Sequence, residues 1–387
     1  MSLSGSQSVY LERSREVAAY RPNLLEVDLG AITGNVAILR ELIGPGVTIF
    51  GAVQANGYGF GLPSVALAML EGGVDAFAMA DPADAIRIRE AGINVPLLLY
   101  GGVLPVREVA TVLADYDLTC TVGDIEAARA WSQQGVGVKG FLKLDVGLER
   151  IGVPAERARA FAEEAHRLPG LQIEGIYTHL HGGDEPGYLS WQLDRFDSAL
   201  ADLEEAGIDL PLRLAESSVT LGLERRPRCN AVDPGHLLYG FVPAGRPGGP
   251  SGIRPAFVSL KTRIIQVKEV ERPGFWGTSP VPARPGLRIA VIPLGRGDGL
   301  RMLQRGEVLV RGQRVPVVGR LSLEHARLDV TGLAACETGD EVVVIGRQGN
   351  EVITPEEVAA HHGLDGVGLT LEARQSVRRV YPSGTLR

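Results

Sequence analysis

The sequence predicts an α/β fold: a parallel (β/α)8 barrel followed by a mainly β C-terminal domain. Three observations carry this. Short apolar runs alternate with amphipathic helical segments from Leu24 to Gly240. The runs are rich in Val, Ile and Leu without strict polar alternation, the pattern of strands buried on both faces. A Pro/Gly-rich stretch at Pro243–Ile253 follows, after which strands and tight turns replace the strand–helix repeat.

Residues 1–22 are polar and irregular and read as an N-terminal arm. The barrel is expected over residues 23–250. Its strand candidates are Leu24–Leu29, Thr48–Val53, Ala76–Ala80, Pro96–Tyr100, Leu118–Val122, Phe141–Val146, Ile173–Leu180, Leu212–Ser217 and Ala231–Tyr239. Helical patterns lie between them at Ala31–Leu42, Ala83–Ala91, Asp124–Gln134, Pro154–Leu168 and Tyr188–Ala206, several ending in Gly as helix C-termini often do. A doubly wound open sheet is the alternative with the same alternation. The β domain is expected over residues 251–387. Its strand candidates are Phe257–Val270, Leu287–Leu294, Glu307–Val310, Val315–Val318, Ala326–Val330 and Glu341–Ile345, with one short helix at Pro355–His361.

Composition narrows the function. The formal net charge is -7, whereas nucleic-acid binding needs a basic face. No run is long enough to span a membrane, and the N-terminus lacks a basic segment followed by an apolar run. The expectation is a soluble cytoplasmic protein that binds neither nucleic acid nor membrane. The three cysteines, Cys120, Cys229 and Cys336, are too sparse for a disulfide scaffold. Lysine is rare, present only at positions 139, 143, 261 and 268.

The most informative motif is Gly51-Ala-Val-Gln54-Ala-Asn-Gly-Tyr58-Gly-Phe60-Gly61, an apolar strand closed by a Gly-rich turn. Others follow it: Lys143-Leu-Asp-Val-Gly-Leu-Glu-Arg150-Ile-Gly152, Gly175-Ile-Tyr-Thr-His179, Gln192-Leu-Asp-Arg-Phe196, Asp233-Pro-Gly235-His236-Leu-Leu-Tyr-Gly240, Gly295-Arg296-Gly-Asp298-Gly299 and Val318-Gly-Arg-Leu-Ser-Leu323-Glu324. In this order they resemble the motifs of the alanine racemase family, and the resemblance runs from Arg21 onward. The first is similar to that family's Val-Lys-Ala-Asn-Ala-Tyr-Gly-His-Gly signature, whose lysine carries pyridoxal phosphate as a Schiff base.

The resemblance implies two acid–base groups, that lysine and a tyrosine from a partner subunit. The matching positions here are Gln54 and Arg296. A carboxamide nitrogen is no amine nucleophile, and arginine stays protonated at neutral pH. Asp233 matches the family's arginine facing the pyridine nitrogen. Glu216 matches the asparagine before the phosphate-binding serine, and Phe60 the signature's histidine. Lys143, near Arg150, matches a lysine whose implied role is structural. Tyr58, Ser217 and the backbone at Gly235 and His236 match a phosphate cradle, and His179 a ring-stacking histidine. Leu323 and Glu324 match a substrate-binding loop, in which His325 follows.

Covalent pyridoxal phosphate is therefore not expected, while noncovalent pyridoxal phosphate or phosphate stays open. The family resemblance implies a head-to-tail homodimer. The ligand expected is an amino acid or related small anion, with Gln54, Arg296 and His179 as altered or inherited catalytic positions. Two alternatives stand beside this reading. His179 and His181, two apart on a strand, share a face and suit a divalent metal, with Asp184, Glu216, Asp233 or His236 completing the set. The other alternative is a non-catalytic ligand-binding homologue.

Overall fold

The computed structural model describes residues 21–181, 186–221, 228–242, 250–271, 274–275, 282–304, 306–374 and 376–382. Most of the predicted N-terminal arm, most of the Pro/Gly-rich linker and Asp184 lie outside the described residues. The chain divides into two units: Leu29–Ala256, and the N-terminal strand segment together with the chain from Phe257 onward.

The first unit is a closed (β/α)8 barrel of the TIM type. Its strands are β1 (Thr48–Ala52), β2 (Ala76–Met79), β3 (Leu97–Leu99), β4 (Thr119–Val122), β5 (Val138–Asp145), β6 (Leu171–Tyr177), β7 (Leu212–Ser217) and β8 (Ala231–Asp233). Each pairs in parallel with its neighbours in sequence, and β8 pairs with β1 to close the ring. Closure removes the open-sheet alternative. β2, β3 and β4 are buried along their whole length, which is why they read as continuous apolar runs. Phe50, Ala76, Leu98, Phe141, Tyr177 and Leu214 are among the side chains that pack inside, with Phe50 edge-on to Phe141 at 6.0 Å. This packed layer floors the space at the carboxyl ends of the strands, where such barrels hold their ligands.

Helix boundaries follow from capping chemistry. Asp81 and Asp124 accept from Ala83 N and Ala127 N, opening helices Pro82–Glu90 and Ile125–Ser132. No helix among the described residues is long and apolar enough to cross a membrane.

The second unit corrects one expectation. Leu24–Val27 is not a barrel strand: it pairs antiparallel with Phe257–Arg263 and parallel with Arg378–Val380. The predicted Phe257–Val270 run is two strands, Phe257–Arg263 and Gln266–Glu269, because the chain changes sheet partner at Ile264 and Ile265. Glu307–Val310 and Gln313–Val318 form a hairpin whose two-residue turn, Arg311 and Gly312, has φ of 51° and 74°. Helix Pro355–His362 is present, and Gly366–Glu372 is a further helix that the sequence reading did not expect.

Candidate functional site

A pocket of about 540 Å³ opens where the barrel strands end at their carboxyl side, where such barrels place their chemistry. Gln54, Tyr58, Lys143, Arg150, His179, Ser217, Asp233, Gly235 and His236 all line it. The structure thus brings together the candidates expected along more than 180 residues of chain.

Gln54 follows β1 and opens a left-handed turn in which Ala55, Asn56, Gly57 and Tyr58 have φ of 54–63°. L-residues adopt this conformation at a cost, so surrounding contacts must hold it. Asn56 Oδ1 accepts from Leu62 N at 3.1 Å and from Arg87 Nη2 at 3.3 Å, and Gly57 N donates to Val53 O at 3.0 Å. Tyr58 packs on Tyr239 with ring centroids 4.5 Å apart, and Phe60 stacks on Tyr239 at 5.5 Å. Phe60 is fully buried in that stack and does not line the pocket. The turn aims Gln54 so that its Nε2 donates to Tyr58 Oη at 3.1 Å, while Oε1 is buried without a partner. Gly235 lies directly beneath: a Cβ there would sit 2.5 Å from Tyr58 Oη.

Lys143 projects from β5 on the opposite wall. Its Nζ is buried without a hydrogen-bond partner and lies 4.2 Å from the centre of the Tyr177 ring. Gly152 makes room for it, since a Cβ there would lie 2.9 Å from Lys143 Cγ. Burial lowers the Lys143 amine to about 7, Asp233 opposes that shift, and Arg150 adds to it. Asp233 ends β8. Tyr100 donates to its Oδ2 at 2.7 Å, and its Oδ1 is buried and unpartnered. Burial raises this carboxyl to about 7, against the pull of the Tyr100 hydrogen bond and Lys143. His179 Nδ1 stands 3.9 Å from Asp233 Oδ2, and burial beside Lys143 and Arg150 lowers its imidazole to about 4. At neutral pH the imidazole is therefore uncharged.

The residues expected to form a phosphate cradle, Tyr58, Ser217, Gly235 and His236, line one pocket. Ser217 lines the pocket, but its neighbour Ser218 takes the backbone donors: Gly235 N and Leu237 N both donate to Ser218 Oγ, at 2.9 and 3.2 Å. The chain's own hydroxyl thus occupies Gly235 N, one of the two backbone donors expected to hold an anion. Ser218, Tyr100 and Tyr177 were not among the sequence candidates. Tyr100 ends one apolar run and Tyr177 lies within another, so both read as core. Only ring closure shows that such ends converge.

The metal reading finds no support. The His181 side chain is exposed, and Gln192 holds the His181 backbone from both sides, with His181 N donating to Gln192 Oε1 at 3.1 Å. Among the described residues no three His, Cys, Asp or Glu side chains form a group that could hold a metal ion. Asp184 and the side chain of Glu216 lie outside the described residues.

Arg296, Leu323 and Glu324 belong to the C-terminal unit, where two loops meet. Arg296 N donates to Ser322 O at 3.1 Å and Gly297 N to Leu323 O at 2.7 Å. All three side chains are exposed. Asp298 is structural: buried, it accepts from Gly295 N at 2.9 Å and pairs with Arg21 at 2.9 Å.

Comparison with known proteins agrees with this architecture. Residues 27–243 match the family model for the alanine racemase N-terminal domain and residues 257–381 that for the C-terminal domain. The chain is 34% identical over 372 residues to an alanine racemase of Halothermothrix orenii, covering 93% of this chain and 97% of that one. A crystal structure of alanine racemase from Bacillus anthracis with bound L-Ala-P superposes with a TM-score of 0.86 at 32% identity, covering 95% of this chain and 96% of that one. A histidine racemase from Leuconostoc mesenteroides has the same fold, with a TM-score of 0.83 at 24% identity over 94% of this chain and 99% of that one. With both domain models matched in order across the barrel and the β unit, the chain belongs to the alanine racemase family.

Proposed function

We propose that this family member binds an amino acid or a related small anion in the barrel pocket without the Schiff-base lysine chemistry of its relatives. The observation that carries the reading is Gln54. It stands where the family signature has its lysine, lines the pocket and hydrogen-bonds Tyr58. A carboxamide forms no imine. A covalently held pyridoxal phosphate does not suit the residues present, because Ser218 also takes one backbone donor of the expected cradle, Gly235 N, and a carboxyl group, Asp233, stands where the family has an arginine.

The assembly proposed is a head-to-tail homodimer in which the partner subunit's Arg296 faces each pocket. The exposed Arg296 and Leu323 on one edge of the C-terminal unit support it. A guanidinium there supplies a planar, charge-assisted fork for a carboxylate.

The test is racemisation of alanine, measured on the unaltered protein and on Gln54→Lys with pyridoxal phosphate added. The unaltered protein is expected to be inert. Gln54→Lys is expected to stay far below an ordinary family enzyme, because a missing acid–base group is worth about 10²–10⁴-fold. Strong turnover by the unaltered protein, or recovery to within roughly tenfold of such an enzyme in Gln54→Lys, contradicts the reading.

A further inference from the structure

We propose that the pocket holds a free α-amino acid as its zwitterion, its carboxylate on Lys143 and its ammonium between Asp233 and Gln54. This deepens the reading above and rests on it, since an amine held in an imine has no ammonium to offer. Three buried side-chain atoms in this one pocket have no hydrogen-bond partner: Lys143 Nζ, Asp233 Oδ1 and Gln54 Oε1. Folded proteins keep few such atoms, and a cluster of them facing one cavity marks a place where a ligand completes the bonding.

Their polarities narrow the ligand. One is a donor and two are acceptors. A simple carboxylate would satisfy Lys143 and leave Asp233 Oδ1 and Gln54 Oε1, both acceptors, without a donor. A simple amine would do the reverse. An α-amino acid presents both charges on one carbon. The barrel arranges the groups to match. Gln54 follows β1 and Asp233 ends the adjacent β8, whereas Lys143 lies on β5, four strands from β1 and three from β8 by the shorter way around the ring of eight. Donor and acceptors therefore face each other across the cavity, whose volume of about 540 Å³ leaves room for a side chain.

The protonation states fit as well. Without a ligand, burial draws the Lys143 amine and the Asp233 carboxyl toward their neutral forms. A carboxylate beside Lys143 favours its ammonium form, and an ammonium beside Asp233 favours its carboxylate. Tyr100 holds Asp233 Oδ2 and leaves Oδ1 to the ligand. His179, uncharged at neutral pH, adds no competing cation.

Isothermal titration of the full-length protein tests this. The probes are the common α-amino acids in both enantiomers, each compared with the matching deamino carboxylate and decarboxylated amine, such as alanine with propionate and ethylamine. The expected result is that at least one amino acid binds, with both of its half-molecules weaker by roughly tenfold or more. Asp233→Asn should weaken the amino acid while sparing the carboxylate, and Lys143→Met should weaken the amino acid while sparing the amine. The ligand series on the unaltered protein stands without either variant. If a carboxylate or inorganic phosphate binds as tightly as every amino acid, the zwitterion assignment falls while the small-anion reading survives. If nothing binds, both fall.

Discussion

Asp233 and Lys143 are the residues on which the pocket's electrostatics turn, and both leave a mark on stability. Burial raises the Asp233 carboxyl from 3.8 to about 7, so between those values the folded state holds a proton that the unfolded state has released. Stability therefore falls as pH rises through that window. Burial lowers the Lys143 amine from 10.5 to about 7, so between those values the unfolded state holds the extra proton, and stability rises with pH. The pair gives a stability minimum near neutrality, modulated by the other charged and titratable groups around it, Tyr58, Tyr100, Tyr177, His179 and Arg150. Asp233→Asn should raise the melting temperature more at pH 8 than at pH 5. Lys143→Met should raise it more at pH 6 than at pH 9. Thermal melts across pH check both, and parallel shifts at every pH contradict the assignment. At this scale the sequence was informative where a motif named the position, as for Gln54, Asp233 and Lys143. It was silent on Ser218, whose hydroxyl reaches Gly235 N only through the pairing of β7 with β8.

The left-handed turn after β1 is the element that aims Gln54, and its strain is measurable. Ala55 has φ of 54°, where a Cβ is unfavourable and glycine is at home. Ala55→Gly is expected to stabilise the protein or leave it unchanged. The same change at Ala37, exposed within helix Leu29–Ile43, should cost about 1 kcal/mol. Chemical denaturation of both variants checks this, and an equal loss at both sites would show that the turn is not strained. The eight barrel strands were legible as elements because burial on both faces leaves a run of apolar residues. Leu24–Val27 has the same local character, and nothing in four residues specifies which sheet will receive them. Helix Gly366–Glu372 escaped because Gly366 and Gly368 weaken its helical signal.

Across the whole molecule, the order of the motifs followed the barrel and the β unit, since all but Gln192–Phe196, which lies within helix Pro186–Glu205, sit at strand ends or loops that the fold requires. In the sequence, the proposed assembly rests on the family resemblance alone, because an exposed arginine has no distinctive local pattern. If the partner subunit's Arg296 completes each pocket, Arg296→Ala should weaken small-anion binding while moving stability by no more than about 0.5 kcal/mol, the usual limit for an exposed side chain. Titration with propionate and a thermal melt of the same sample give the two readings, and unchanged affinity removes Arg296 from the site.

The claim that no lysine of this chain carries the family's cofactor as an imine is tested most directly by one measurement. Purified protein, incubated with pyridoxal phosphate, is treated with borohydride and mapped by peptide mass spectrometry. The expected result is no reduced adduct at Lys143, which lines the pocket, or at any other lysine of the chain, and no borohydride-sensitive band near about 420 nm beforehand. A stoichiometric adduct on Lys143 would contradict it, because the amine lost at position 54 would then have been replaced from the opposite wall of the barrel.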